Sequence, residues 1–97
     1  LVELPKVPTS QEGHVWHVFA ITCLERERLK KHLEDNGVQT NIHYPIAPHK
    51  QGAYSELNDL CLPVTERLHR EILSIPLSPV MTDAEVDCVI QVINSFR

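Results

Sequence analysis

Residues 14–37 read HVWHVFAITCLERERLKKHLEDNG, and this stretch decides the fold because the spacing of its apolar residues changes once. Its first part, residues 14–22, is a β-branched and aromatic run with apolar side chains on both faces, which is typical of a central strand. Its second part, residues 24–37, is highly charged and carries a narrow apolar stripe at Leu29 and Leu33, which predicts a helix. We therefore expect a strand followed at once by a helix that ends at an Asn-Gly pair.

Five further segments of the chain have a recognisable pattern. Residues 1–13 contain two prolines and a glycine and predict an extended lead-in. Residues 38–42 alternate between apolar and polar side chains, as a second strand would. Apolar residues recur four apart in 63–73, which indicates an amphipathic helix, and the proline-bounded run 74–79 is typical of a short strand. A helix with a broad apolar face follows at 82–96, and it begins with the Thr-x-x-Glu of a capping box.

This order, β-α-β-loop-α-β-α, predicts a small α/β domain in which helices flank a three-stranded, mainly antiparallel sheet. A strand–helix–strand unit tends to leave its two strands parallel, often with room for a third strand between them. We therefore expect strands 15–22, 38–42 and 74–77 in one sheet, with 74–77 in the middle and antiparallel to both neighbours.

The composition of the 97-residue chain is that of one globular domain, with 42% apolar and 23% charged residues. A formal charge of −4 argues against partners that bind by general electrostatic attraction, such as nucleic acid or an anionic membrane surface. No apolar run approaches the roughly 20 residues of a membrane span. The chain opens LVELPK, without an initiator methionine, from which we expect a piece of a longer protein.

The three cysteines, Cys23, Cys61 and Cys88, are widely spaced, form no CxxC pair and sit in or beside apolar stretches. Such cysteines are typical of buried thiols in a reducing compartment. We therefore predict a cytoplasmic protein whose three thiols are buried.

The corner, residues 43–49 with the sequence HYPIAPH, concentrates two histidines, a tyrosine and two prolines. In one interpretation the prolines end the preceding strand, and His43 and Tyr44 are half-buried packing residues. A metal site is disfavoured because His43 and His49 are six apart, which fits neither the usual zinc spacing nor a helical pair. In a third interpretation the corner is a rigid ligand contact, since imidazole and phenol both donate and accept hydrogen bonds. The residues alone leave the packing and ligand interpretations open.

A longer pattern surrounds the corner. The stretch GVQTNIHYPIAPHKQGAY resembles the signature G-I-x-T-x-x-H-Y-P-x-P-x-H-x-Q-x-x-Y of the PLP-dependent nucleotide-sugar aminotransferases of the DegT/StrS group. The matching residues are Gly37, Val38, Thr40, His43, Tyr44, Pro45, His49, Gln51 and Tyr54. The stretch LPVTERLHREILSIPLSP resembles the P-x-x-E-R…L-S-L-P-x-x-P segment of the same family through Pro63, Glu66, Arg67, Leu73, Ser74, Pro76, Leu77 and Pro79.

The resemblance covers residues 14–97 in collinear order. WHVFAI is similar to the H-x-Y-x-I strand of the family through His17, with Phe19 in place of tyrosine, and TDAEVDCVIQVI is similar to its closing helix. The corner departs from the pattern, because Ala47 stands where a proline is usual and Lys50 replaces an apolar residue. These departures leave the loop path at 47–50 open.

The resemblance implies an aspartate-aminotransferase-like enzyme with a large domain that holds pyridoxal 5'-phosphate and a small C-terminal domain. Residues 14–97 are similar to that small domain alone. The implied reaction moves an amino group, usually from glutamate, to a keto-sugar linked to a nucleoside diphosphate. The implied full-length protein is a homodimer that binds no nucleic acid or membrane.

The lysine that joins the cofactor is implied to lie in the large domain. The lysines of this chain are Lys6, Lys30, Lys31 and Lys50, and none has a convincing cofactor context. We therefore expect no catalytic, cofactor-binding or metal-binding residue in this chain, and no activity or PLP binding from the chain alone.

The resemblance assigns substrate contacts to the corner. His43 and Tyr44 are implied to hydrogen-bond sugar hydroxyls or the diphosphate, with His49 as a third candidate, while packing roles stay open for all three. We expect Glu66 and Arg67 to form a local ion pair at the start of their helix. The rival function is a free-standing, non-enzymatic ligand-binding or regulatory module. Such a module needs a closed surface of its own, whereas a domain of a larger enzyme exposes the face that meets its neighbour.

Overall fold

The computed structural model describes residues 1–97 as six regular elements. They are β1 (Val2–Glu3), β2 (Phe19–Cys23), α1 (Arg26–Asp35), α2 (Pro63–Glu71), β3 (Ile72–Ile75) and α3 (Asp83–Ser95). Three short 3₁₀ helices lie in the connections, at Gln11–Gly13, Pro48–Lys50 and Gly52–Leu57. The predicted helices and the strand after α2 are therefore present, close to their predicted bounds.

The sheet has three antiparallel strands in the order β1-β2-β3. The predicted small α/β fold with a three-stranded sheet is confirmed, but the predicted strand membership is wrong. The third strand is Val2–Glu3, from the predicted lead-in, and it pairs with Thr22 and Cys23. The central strand is consequently β2 and not the segment at 74–77.

Residues 38–42 form no strand, although they lie where the prediction put one. Asn41 makes a single antiparallel bridge to Ser74, with N–H to O distances of 3.0 and 2.8 Å. The ladder does not extend: the next hydrogen-bonded pairs would be 39 with 76 and 43 with 72, but Pro76 has no amide proton and the Ile72 amide bonds to the Leu68 carbonyl. The Val38 amide bonds back to the Leu33 carbonyl at 2.9 Å, and the Ile42 amide donates to the Asn41 side chain at 2.9 Å.

The strand predicted at 15–22 starts late, at Phe19, because the chain turns before it. Trp16 has a φ of 49°, in the left-handed region that bulky residues rarely adopt. Its amide donates to His14 Nδ1 at 2.8 Å, and its ring stacks on Phe19 with 5.4 Å between ring centroids. The apolar residues at 15–18 therefore belong to a turn and not to the sheet.

The core lies on one face of β2 and β3, under α1 and α3. Its buried members are Ile21, Cys23, Leu29, Leu33, Val38, Leu73 and Phe96. Residues 21 and 73 are cross-strand partners, so the core face is continuous across the two strands. His32 joins the two helices, since its Nε2 lies 2.9 Å from the Val92 carbonyl.

Helix α2 does not bury the apolar side chains that predicted it. Val64 is 67% exposed and Leu68 37% exposed, whereas Glu71 is only 7% exposed. The expected ion pair between Glu66 and Arg67 is also absent, because Arg67 reaches Glu71 at 3.5 Å and Glu66 turns to the corner. The apolar periodicity predicted the helix correctly, but it did not predict that the apolar side of the helix would be exposed in this chain.

The cysteines differ from the prediction as well. Cys23 is buried in the core, as expected, but Cys61 and Cys88 are exposed. Cys61 lies in the connection before α2, and Cys88 lies at an exposed position of α3. Apolar neighbours in the sequence did not predict the burial of these cysteines correctly, because several of those neighbours are themselves on the surface.

Leu73→Ala tests the position of the core. Leu73 is 0% exposed, so its truncation should lower the free energy of unfolding of the protein by about 2–5 kcal/mol. The matched variant Leu24→Ala removes the same atoms from a side chain that is 86% exposed, and it should change stability by less than about 0.5 kcal/mol. Urea denaturation of both variants makes the comparison. Equal losses would show that the core is elsewhere.

Candidate functional site

The corner is attached to β3 through the imidazole of His43. His43 Nδ1 lies 2.9 Å from Ser74 Oγ, and His43 Nε2 lies 3.1 Å from Asn41 Nδ2. The Ile42 amide donates to Asn41 Oδ1, which fixes the orientation of that side-chain amide, so Nδ2 is the group that faces His43. An amide nitrogen only donates, so neutral His43 accepts at Nε2 and donates from Nδ1 to Ser74. Both ring nitrogens are therefore in use.

Tyr44 follows His43 and presents its side chain to solvent. The residue is 65% exposed, and its polar contact is made by the backbone, where His69 Nδ1 donates to the Tyr44 carbonyl at 2.5 Å. The ring stands edge-on to that of His43, with 5.5 Å between centroids. The phenol hydroxyl is therefore available to a ligand, and the backbone that carries it is held by His69.

His49 closes the other end of the corner, and it points inward. It is 4% exposed, and its Nε2 lies 3.0 Å from Glu66 Oε1. The same carboxylate oxygen accepts the Leu62 amide at 3.0 Å, just before α2, and the Lys50 ammonium is 3.9 Å away. These contacts join the corner to the first turn of α2.

The geometry separates the three predicted residues into different environments. His43 and Tyr44 are adjacent, on the side of the corner held by β3, whereas His49 is buried against α2. Ser74 and His69, which hold the corner in place, were not predicted as members of the site. Ser74 carries a signal that could have found it, because a polar side chain in a buried strand requires a hydrogen-bond partner.

The carboxylate of Glu66 is the group whose charge this arrangement stabilises most. The hydrogen bond from His49, followed by that from the Leu62 amide and the charge of Lys50, holds the pKa of Glu66 below its usual value. Ionised Glu66 therefore fixes the corner to α2 at neutral pH.

A cleft of about 690 Å³ lies beside the corner, between residues 37–43, the end of β3 and the start of α3. His43, Asn41 and Ser74 line it, and Tyr44 and His49 do not. Thr40 also lines the cleft, and its Oγ1 is buried without a hydrogen-bond partner. The cleft and the exposed phenol are thus two separate surfaces that share the anchored imidazole.

No three His, Cys, Asp or Glu side chains lie close enough together to hold a metal ion. None of the helices has the length and apolar character needed to cross a membrane. His43 and His49 turn instead to Ser74 and Glu66.

Comparison with known proteins assigns this domain to a family. The pattern of the DegT/DnrJ/EryC1/StrS aminotransferase family matches residues 1–94. The chain belongs to this family. The match includes β1, so the predicted lead-in is part of the family pattern as well as part of the sheet.

Individual relatives agree with the family assignment. A dTDP-3-amino-3,6-dideoxy-alpha-D-galactopyranose transaminase of Aneurinibacillus thermoaerophilus is 44% identical over 95 residues, which are 98% of this chain and 26% of the relative. A 3-oxo-glucose-6-phosphate:glutamate aminotransferase of Bacillus subtilis is 38% identical over 96 residues, covering 93% of this chain and 21% of the relative. The chain thus spans about a quarter of the length of these relatives.

Solved structures of family members have the same fold as this chain. A DegT DnrJ EryC1 StrS aminotransferase from Brucella abortus superposes with a TM-score of 0.84 at 33% identity, over 96% of this chain and 25% of the other. NtdA from Bacillus subtilis, solved with bound cofactor PMP, superposes with a TM-score of 0.76 at 36% identity, over 97% of this chain and 23% of the other. The small α/β architecture is therefore that of a DegT-type aminotransferase.

Three of the four lysines of this chain make local polar contacts. Lys30 pairs with Glu34 at 2.5 Å and Lys31 with Asp35 at 2.9 Å, both on α1. The Lys50 ammonium donates to two backbone carbonyls at 2.6 and 2.9 Å, and Lys6 is an exposed residue before β2. No step of cofactor chemistry is assigned to these side chains.

The lowered pKa of Glu66 predicts a pH dependence with a definite sign. A folded-state pKa below the unfolded value stabilises the fold above pH about 5, and the contribution is lost as the pH falls through about 4 and below. The melting temperature of Glu66→Gln should therefore be lowest relative to wild type near pH 7, and the difference should shrink as the pH falls below about 4. The control Glu56→Gln, at an exposed position, should follow wild type throughout. A constant difference between Glu66→Gln and wild type would contradict the assignment.

Proposed function

We propose that this chain is the C-terminal domain of a PLP-dependent aminotransferase that transfers an amino group from glutamate to a nucleoside-diphosphate-linked keto-sugar. Residues 14–97 form the body of the domain, and the preceding residues add its edge strand. A large domain outside this chain holds the cofactor and its lysine, and two full-length copies form the enzyme. The family membership and the two transaminase relatives support this proposal.

The observation that carries the proposal is the exposed phenol of Tyr44 on an anchored backbone. The Tyr44 carbonyl is held by His69, and the preceding residue is held by Ser74. A side chain on a fixed backbone loses little further entropy when a ligand binds. A phenol donates one hydrogen bond and accepts others, which suits the hydroxyl-rich surface of a sugar. Tyr44 is thus the direct substrate contact in this proposal.

His43 and His49 have different parts in the same proposal. His43 can bond the substrate at Nε2 by exchanging the side-chain amide of Asn41 for a sugar hydroxyl, while Nδ1 keeps its bond to Ser74. His49 acts through position, since its imidazole is buried on Glu66 and holds the far end of the corner. Together they orient Tyr44 and help to close the active site over the sugar.

The accessible surface counts against the rival function of a free-standing module. The chain exposes 7278 Å², whereas a monomer of 11.1 kDa is expected to expose about 5,700 Å². Its radius of gyration is 15.3 Å, against roughly 12.5 Å for a compact domain of this length. A module that works alone needs a closed surface, and this one is open. The excess favours a domain that meets another domain.

The relatives narrow the class of substrate. The Aneurinibacillus protein, at 44% identity, is named for a dTDP-linked sugar, and the Bacillus protein, at 38%, for a sugar phosphate. We propose the nucleotide-linked class because of the greater identity. Assay of the full-length protein with both kinds of keto-sugar, with glutamate as donor, tests this choice directly.

Tyr44→Phe in the full-length enzyme tests the substrate contact. Loss of one hydrogen bond to an uncharged sugar hydroxyl should lower kcat/KM for the keto-sugar by about three- to tenfold. The half-reaction with glutamate does not involve the sugar and should change little. His43→Ala should lower the sugar half-reaction in the same selective way. Stopped-flow measurement of each half-reaction separates the two effects.

Ser10→Ala is the control, because it removes a hydroxyl from an exposed side chain outside the corner, and it should leave both half-reactions unchanged. A packing role for the corner would give a different result. If Tyr44→Phe and His43→Ala both melt several degrees lower and lose both half-reactions equally, these residues support the fold and do not bind the sugar.

A further inference from the structure

The apolar segment, residues 51–68, has its large hydrophobic side chains on the outside. None of its residues is buried. The exposed fractions range from 37% to 67% for Tyr54, Leu57, Leu60, Leu62, Val64 and Leu68. Soluble monomers rarely expose a large contiguous apolar patch, and such patches commonly mark a binding surface. The segment contributes six large apolar side chains to the surface within 18 residues.

Polar groups hold the inner side of the apolar segment. Asn58 Nδ2 donates to the His49 carbonyl at 2.9 Å, and the Lys50 ammonium donates to the carbonyls of Asn58 and Leu60 at 2.6 and 2.9 Å. Glu66 connects the far end of the segment to His49. The usual arrangement of a surface loop, with polar groups outward, is therefore inverted. A segment that is ordered without an apolar core of its own presents a preformed apolar face.

The position of the amino-terminal end indicates what covers this face. Leu1 and Glu3 line one crevice of about 310 Å³ together with Arg67 and Glu71 of α2. A polypeptide that precedes Leu1 therefore enters beside the helix that carries Val64 and Leu68. In the proposed enzyme, that preceding polypeptide is the large domain.

The amount of open surface fits a contact of this kind. The chain exposes about 1,600 Å² more than a closed monomer of its mass, and one partner in a standard interface buries about 800 Å². The open surface of the chain is therefore large enough for a domain-sized contact.

We propose that the apolar segment is the docking face for the cofactor-binding domain of the same polypeptide. This inference rests on the proposed function, because it needs that second domain. The polar network beneath the segment sets its shape, and Leu60, Leu62, Val64 and Leu68 make the contact. The corner is continuous with this face at His49 and Lys50, so docking also fixes the position of Tyr44 relative to the cofactor domain.

Substitution of serine on the face, in the full-length enzyme, tests the proposal. Leu60→Ser combined with Val64→Ser should accelerate deuterium uptake by peptides from 51–68 about tenfold or more, because buried apolar contacts are lost. Val15→Ser combined with Val80→Ser is the matched control, since both positions are outside the segment and are 89% and 84% exposed. The control should leave uptake in 51–68 unchanged. Leu60→Ala with Val64→Ala gives the same comparison if the serine pair does not fold.

The other outcomes overturn the proposal. If the face variants and the control exchange alike, the segment is open to solvent in the enzyme. If sedimentation shows that the face variants dissociate the dimer and that protection is lost only on dissociation, a second copy covers the segment. Amino transfer by the wild-type enzyme tests the proposed function separately. If the enzyme is active but residues 51–68 are not protected from exchange, the docking inference is refuted and the proposed function stands.

Discussion

The pair of backbone hydrogen bonds between Asn41 and Ser74 is the constraint on which the functional part of this structure depends. They attach the segment after α1 to β3, at the point where the chain turns into the corner. The Ser74 hydroxyl then accepts a hydrogen bond from the His43 imidazole, while the neighbouring Leu73 points into the core. One strand therefore connects the apolar core on one face with the corner on the other. This residue pair ties the corner to the core, and His69 and Glu66 tie it to α2.

The elements that sequence reasoning predicted well are those whose apolar pattern is completed within the chain. Leu29 and Leu33 on α1 meet Ile21 and Leu73 in the core, so local periodicity and tertiary burial agree. The edge strand at Val2–Glu3 could not be predicted in this way, because two residues carry no periodicity and their partner is about twenty positions away. The strand expected at 38–42 had the right pattern, but its pairing with β3 stops after one bridge, next to Pro76, and alternation within one segment does not encode the partner strand.

The candidate site was predictable only in outline. Resemblance to the family drew attention to His43, Tyr44 and His49, but it could not distinguish an exposed phenol from an imidazole buried on a carboxylate. That difference arises from the path of the loop, which is set by hydrogen bonds to Ser74 and His69, about thirty residues further along the chain. The apolar periodicity of a helix also does not show which surface covers its apolar side. For this reason α2 was predicted as a helix, but the exposure of its apolar side was not predicted.

The junction between α2 and β3 has no intervening loop, since the helix ends at Glu71 and the strand begins at Ile72. The Ile72 amide still bonds to the Leu68 carbonyl, so the two elements share a hydrogen bond across the join. The helix and the strand are consequently joined without a flexible linker. Ser74 lies three residues beyond the helix end. The helix with the open apolar side and the residue that holds His43 therefore belong to one unbroken stretch of regular structure.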